Sequence, residues 1–198
     1  PIYDVNTYGL DARDVVTYLV IVENSGRGKD GAYDLVLRET LPAELTYADD
    51  VIAGSLSAFL GDGTPYPLPG GAEPALFSPA GLSLSGNVLA RGVQESGLTN
   101  AVGDNILYLV YQVRLPDTAE SGVLYSTTSD VLAYAGTADG ANMTAPGLIR
   151  DDVEVSVIEP AVLKSIQATS EAHTGVSGGV PQVAIGEVVR YRLSVRVA

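Results

Sequence analysis

Acidic side chains are the residues whose types and spacing could do chemistry in this chain. In PIYDVNTYGLDARD, Asp4, Asn6 and Gly9 fall at calcium-loop spacing, with Asp11 and Asp14 close behind. Hard divalent cations take oxygen ligands from such alternating positions. Tyr8 nevertheless occupies a usual ligand position, and Val15 replaces the closing acid of the helix-loop-helix calcium pattern. A second cluster, Asp151, Asp152 and Glu154 in IRDDVE, offers oxygens where a cation could stiffen a junction. Calcium is therefore the one cofactor the sequence suggests, against the plainer reading of solvated acids on an acidic protein.

Catalysis lacks its residues. There is no cysteine, which removes disulfides, thiolate metal sites and cysteine nucleophiles together. His173 is the only histidine and sits among Ser, Thr and Gly, so a Ser-His-Asp triad would have to recruit it from a loop. GRGKDG (26–31) has the glycines of a phosphate loop without the spacing or a following helix. No tryptophan is present to stack on a sugar, and many of the 11 tyrosines alternate into expected cores. The chain reads as a non-enzyme.

The elements that position these residues are strands. DVVTYLVIVEN (14–24) alternates Val16, Tyr18, Val20 and Val22 with Val15, Thr17, Leu19 and Ile21, so both sides are largely apolar and the expectation is a central strand. AYDLVLRETLP places Leu35 and Leu37 on one face. NILYLVYQVRLP (105–116) aligns Leu107, Leu109, Tyr111, Val113 and Leu115, the clearest core strand. GVLYSTTSDVLAYAG and DVEVSVIEP follow, the latter with Val153, Val155 and Val157 inward. From Leu45 to about Gly103 the chain reads as short strands and long loops. With 22 Gly and 11 Pro punctuating these runs, the expected class is all-β, an immunoglobulin-like β-sandwich over 1–159.

Pro160 marks the boundary. Beyond it, AVLKSIQATS and VAIGEVVRYRLSVRVA read as strands around a loop, and two strands do not make an independent domain. Val189, Tyr191, Leu193, Val195 and Val197 fall on one side of the last strand, and Arg190, Arg192, Ser194 and Arg196 on the other. The apolar side is the expected assembly face. Residues 160–198 are thus read as the opening strands of a following, incomplete repeat.

Charge divides at the same place. The net charge is −13; residues 160–198 carry +2, leaving −15 on the other 159. An acidic body repels phosphate backbones and argues against nucleic acid as a partner. No apolar run approaches the roughly 20 residues needed to span a bilayer. A basic tail on an acidic body invites contact between one copy's tail and another copy's body.

DVVTYLVIV (14–22) is echoed 173 positions later by EVVRYRLSV (187–195). DVVTYLVIVENSG, followed after a loop by AYDLVLRETLPAELTY, resembles the bacterial extracellular tandem repeat known as domain of unknown function eleven. AVLKSIQAT with VAIGEVVRYRLSV resembles the start of an isopeptide-forming fimbrial-type domain. The likeness covers 13–47 and 160–198 well, 105–158 in general shape, and 50–104 hardly at all.

The resemblance implies immunoglobulin-like modules in series on a bacterial cell surface or in a secreted filament, stalk or adhesin. It also implies a chemistry. An isopeptide bond needs a buried lysine, an Asn or Asp acceptor and a protonated acid beside them. Lys164 stands where the family's reactive lysine does, and Glu187 could be the acid, its acceptor lying in strands after Ala198. In the body, TTSDV puts Thr127 at the acceptor position that the resemblance implies, in place of the family's asparagine, so no cross-link is expected within 1–158. The expected partners are other copies or adjacent repeats, joined by sandwich stacking and strand complementation. The competing expectation is an adhesive module that binds sugar or protein through the 50–104 loops.

Overall fold

A computed structural model describes residues 7–25, 31–90, 103–144, 149–158, 161–170, 176–177, 180–181, 185–186 and 188–196. Five strands form one sheet: β1 (Thr7–Leu10), β3 (Ala32–Thr40), β5 (Leu82–Leu89), β7 (Leu124–Ala135) and β8 (Ile149–Val157), in the order β1-β8-β7-β3-β5. Three form the facing sheet: β2 (Val15–Glu23), β4 (Ser57–Leu60) and β6 (Ile106–Arg114), in the order β2-β6-β4. Pairing is antiparallel except where β1 runs parallel to β8. The architecture is all-β and consistent with the expected immunoglobulin-like sandwich.

Period-two patterning builds the core between these sheets. Leu107, Leu109, Tyr111, Val113 and Leu115 on one side of the β6 segment are all buried, against Leu35 and Leu37 of β3 and Leu82 and Leu84 of β5. Each such side chain contributes roughly 1.5–3 kcal/mol by leaving water. Tyr18 of β2 stacks on Tyr111 with ring centroids 5.2 Å apart, and Phe77 meets Tyr111 edge-on at the same distance.

Besides β4 and β5, the described segments between β3 and β6 help cover this core. Two short helices, α1 (Tyr47–Asp50) and α2 (Ala72–Leu76), are seated by capping and burial. Thr46 accepts a hydrogen bond from the Asp49 backbone N–H, and the Asp50 carboxylate accepts one from the Thr46 N–H. Leu45, Val51, Ala72 and Leu76 are buried.

Gly81 turns the chain into β5 with φ of 78°, and a Cβ there would lie 2.7 Å from the Leu37 carbonyl oxygen. Gly81→Ala is expected to cost about 2 kcal/mol, combining left-handed strain with displacement of β3. A lowered urea midpoint at unchanged slope would show it.

After the sandwich, β9 (Ala161–Thr169) and β12 (Val189–Arg196) pair antiparallel as a separate two-stranded sheet. Between them β10 (Val176–Ser177) and β11 (Val180–Pro181) make a minimal second hairpin inside the segment expected to be a loop. No helix among the described residues is long and apolar enough to cross a membrane.

Candidate functional site

In the β9–β12 ladder, residues opposite one another share a face. Tyr191 faces Ile166, Leu193 faces Lys164, and Val195 faces Val162. Tyr191, Leu193, Val195 and Ile166 make one apolar face, with Lys164 as the cation in it. The reverse face carries Arg190 and Arg192. Tyr191, Leu193 and Val195 are 53, 62 and 56% exposed, and among the described residues neither strand of this hairpin joins a sheet of the sandwich. The Lys164 ammonium lies 4.1 Å from the centre of the Tyr191 ring, a cation–π contact at the surface. Glu187 and Val197 lie outside the described residues, so Lys164 is placed without its suggested acid.

A second surface lies on the sandwich itself. The expectation of a central strand at 14–24 is corrected by the structure: among the described residues β2 pairs only with β6 and forms the edge of its sheet. Its outer side explains the double apolar pattern. Val15 is exposed and Leu19 is 56% exposed, while Tyr18 packs inward. Beside this edge the two sheets part around a cavity of about 580 Å³. Val20, Val22, Leu35, Leu37 and Ile149 line it, with Glu23 and Asp151 at the rim and Glu39 inside.

Glu39 is the chemical oddity of the cavity. It is 3% exposed, in phase with Leu35 and Leu37, and accepts a 2.9 Å hydrogen bond from the Tyr111 hydroxyl. Burial pushes its pKa up to about 7, against the hydrogen bonds of Ser129 and Tyr111. Burial, reinforced by Glu39, raises Tyr111 well above the usual phenol range. Thr127 is buried nearby; its Oγ1 and the Tyr18 hydroxyl influence one another without either completing a well-formed hydrogen bond.

On the opposite face of the larger sheet, Arg38, Asp130 and Arg150 stand in register across β3, β7 and β8. The fully covered Asp130 carboxylate accepts from both guanidiniums, at 2.6 Å from Arg38 and 2.7 Å from Arg150. The Arg150 bond, with help from Arg38, holds Asp130 below the usual carboxylate range.

Asp14 accepts from the Asp11 backbone N–H and closes a turn, while Asp4 and Asn6 lie outside the described residues. Asp151 and Asp152 are consecutive in β8 and point to opposite faces, with Glu154 on the side of Asp152. Among the described residues no three Asp, Glu or His side chains gather closely enough to hold a metal ion. Lys29 and His173 also fall outside the described residues.

The binding alternative draws on the 50–104 loops, of which 50–90 and 103–104 are described. Tyr47 stacks on Phe77 at 5.4 Å, and Tyr66 packs against the core. The hollow of about 330 Å³ beside them contains one tyrosine, Tyr47.

Alternation in the sequence separates the two sides of β12, but it singled out neither Glu39 nor the Asp130 rung. Glu39 carried a usable signal, its two-residue phase with buried leucines. The rung depended on a register that no local pattern encodes.

No family model matches the chain, and no curated protein matches it. Among solved structures, the chain is similar to a group B streptococcus pilus 2b backbone protein at 17% identity and a TM-score of 0.41, over 98% of this chain and 82% of that one. It is also similar to a family 123 glycoside hydrolase from Clostridium perfringens at 11% identity and a TM-score of 0.35, over 78% of this chain. The chain spans 23% of that hydrolase's length. At these TM-scores neither likeness carries the functional argument, which rests on the residues above.

Proposed function

We propose that this chain is a non-catalytic structural module of a bacterial cell-surface or secreted filament or stalk, associating with other copies through uncovered sheet surfaces. The observation that carries this reading is the apolar face of the β9–β12 hairpin, where Tyr191, Leu193 and Val195 stand exposed without a covering sheet. A two-stranded ribbon is not stable alone in water, so covering this face with strands of another module supplies the burial that it lacks. The sandwich supplies the rest of the role, because paired strands and a continuous core resist extension along a stalk. The extracellular, fimbrial-type setting follows from the quoted repeat motifs rather than from any catalytic or ligand site.

Sedimentation velocity over a wide concentration range tests the reading. Concentration-dependent assembly is expected, and Leu193→Lys, which places a charge on the apolar face, is expected to weaken it roughly tenfold or more. A strict monomer at every concentration would overturn it.

A further inference from the structure

We infer that the free edge of β2, with the cleft beside it, is the acceptor for strand β12 of a second copy. This rests on the proposed assembly and names the surface that receives the hairpin. Three independent observations converge on it.

Strand count comes first. A three-stranded sheet faces a five-stranded sheet, and the difference lies on the β2 side, where Ile149 of β8 is exposed. The hairpin brings two strands. Adding it through the free edge of β12 gives β9-β12-β2-β6-β4, a sheet as wide as the one it faces. The two partner strands match in length, at nine residues for β2 and eight for β12.

The edge itself is undefended. Soluble proteins blunt long edge strands with lysine, proline, bulges or inward charges. VVTYLVIVE has no lysine or proline, no inward charge, and an unbroken register with β6. Its outer side chains Val15 and Leu19 are exposed and apolar.

Chemical complementarity then sets the orientation. A strand added to β2 sends alternate side chains between the sheets, where Val20, Val22, Leu35, Leu37 and Ile149 give the cavity of about 580 Å³ an apolar part beside Glu39. Tyr191, Leu193 and Val195 are the side chains of β12 with that period. Arg190 and Arg192 then project on the outer side, which Glu23 shares. Asp151 at the rim and the −15 charge of the first 159 residues add longer-range attraction for a tail of +2.

The absence of native cysteine makes cross-linking a direct test. The single variants Leu19→Cys and Arg192→Cys, both at exposed positions, are prepared in the 198-residue chain, mixed and oxidised. A mixed disulfide dimer is expected to exceed either self-dimer, and Leu19→Lys is expected to weaken association roughly tenfold or more while leaving the urea midpoint unchanged. Assembly that survives Leu19→Lys yet is lost in Leu193→Lys would overturn β2 as acceptor and leave the proposed function standing. Absence of any association would defeat both. A Leu19→Cys/Arg192→Cys double variant that closes as a monomer at high dilution would show the chain's own hairpin in the cleft and overturn the second copy as occupant.

Discussion

Asp130→Ala is expected to remove about 3 kcal/mol of folding stability, among the largest single-site effects in the molecule. The carboxylate is fully covered and lies between two guanidiniums drawn from neighbouring strands. Its loss leaves two cations side by side with no anion between them. Arg150, with about half its side chain exposed, recovers water and contributes little to the penalty. Arg38 is three-quarters covered and cannot, so most of the cost is its desolvation without a partner. Arg150→Ala should accordingly cost less than Arg38→Ala. Urea unfolding of the three variants at neutral pH checks the order. A loss below about 1 kcal/mol for Asp130→Ala would show that the rung is solvated in solution.

Between about pH 4.5 and 7 the protein should lose roughly 3 kcal/mol through Glu39 alone. Its folded pKa is raised from 4.5 to about 7, so the folded state holds a proton that the unfolded state releases. The associated stability is fully present below pH 4.5, falls as pH climbs toward 7, and is gone above it. Burial is the cause: it strips water from the carboxylate, the hydrogen bonds of Ser129 and Tyr111 offset only part of that loss, and the Arg38 and Arg150 guanidiniums are engaged by Asp130. Asp130 behaves in the opposite sense. Its depressed pKa gives stability present above the usual carboxylate range and lost as acid protonates it. Maximal stability is therefore expected in mildly acidic solution. Glu39→Gln keeps an oxygen for Tyr111 and removes the titration. The difference between wild type and variant isolates Glu39 from the general repulsion within a chain of charge −13. Parallel profiles from pH 4.5 to 7 would refute the assignment.

The strands were largely legible because period-two patterns report burial directly. Leu107 through Leu115 and Val153 through Val157 needed no tertiary information. What failed was the inference from two apolar sides to a central position. Val15 and Leu19 are apolar on a solvent-facing side, and a sequence gives the same pattern whether such a side meets its own fold or another molecule. β1 was hidden in a turn-rich stretch: TYGL is four residues long, includes Gly9 at φ 80°, and pairs parallel with a strand some 150 positions later. The core cover at 45–77 was hidden for a different reason. Its helices are too short to show a helical period, and Thr46 and Asp50 act through caps that look like ordinary loop polarity.

At the candidate site, the apolar and basic sides of β12 followed from alternation alone. The acceptor cleft did not, because it arises from the mismatch between two sheets whose strand order is set by long-range pairing. Lys164 shows the same limit. Its strand and face were readable, but its contact with Tyr191 depends on the register between β9 and β12.

Hydrogen exchange of the β12 backbone amides, followed from high dilution to high protein concentration, addresses the central claim most directly. The account predicts fast exchange in the dilute chain, where the hairpin stands uncovered, and protection that rises with concentration as copies associate. Protection of β12 equal to that of the core strand β6 at every dilution would mean the hairpin is already roofed within one molecule, and would contradict it.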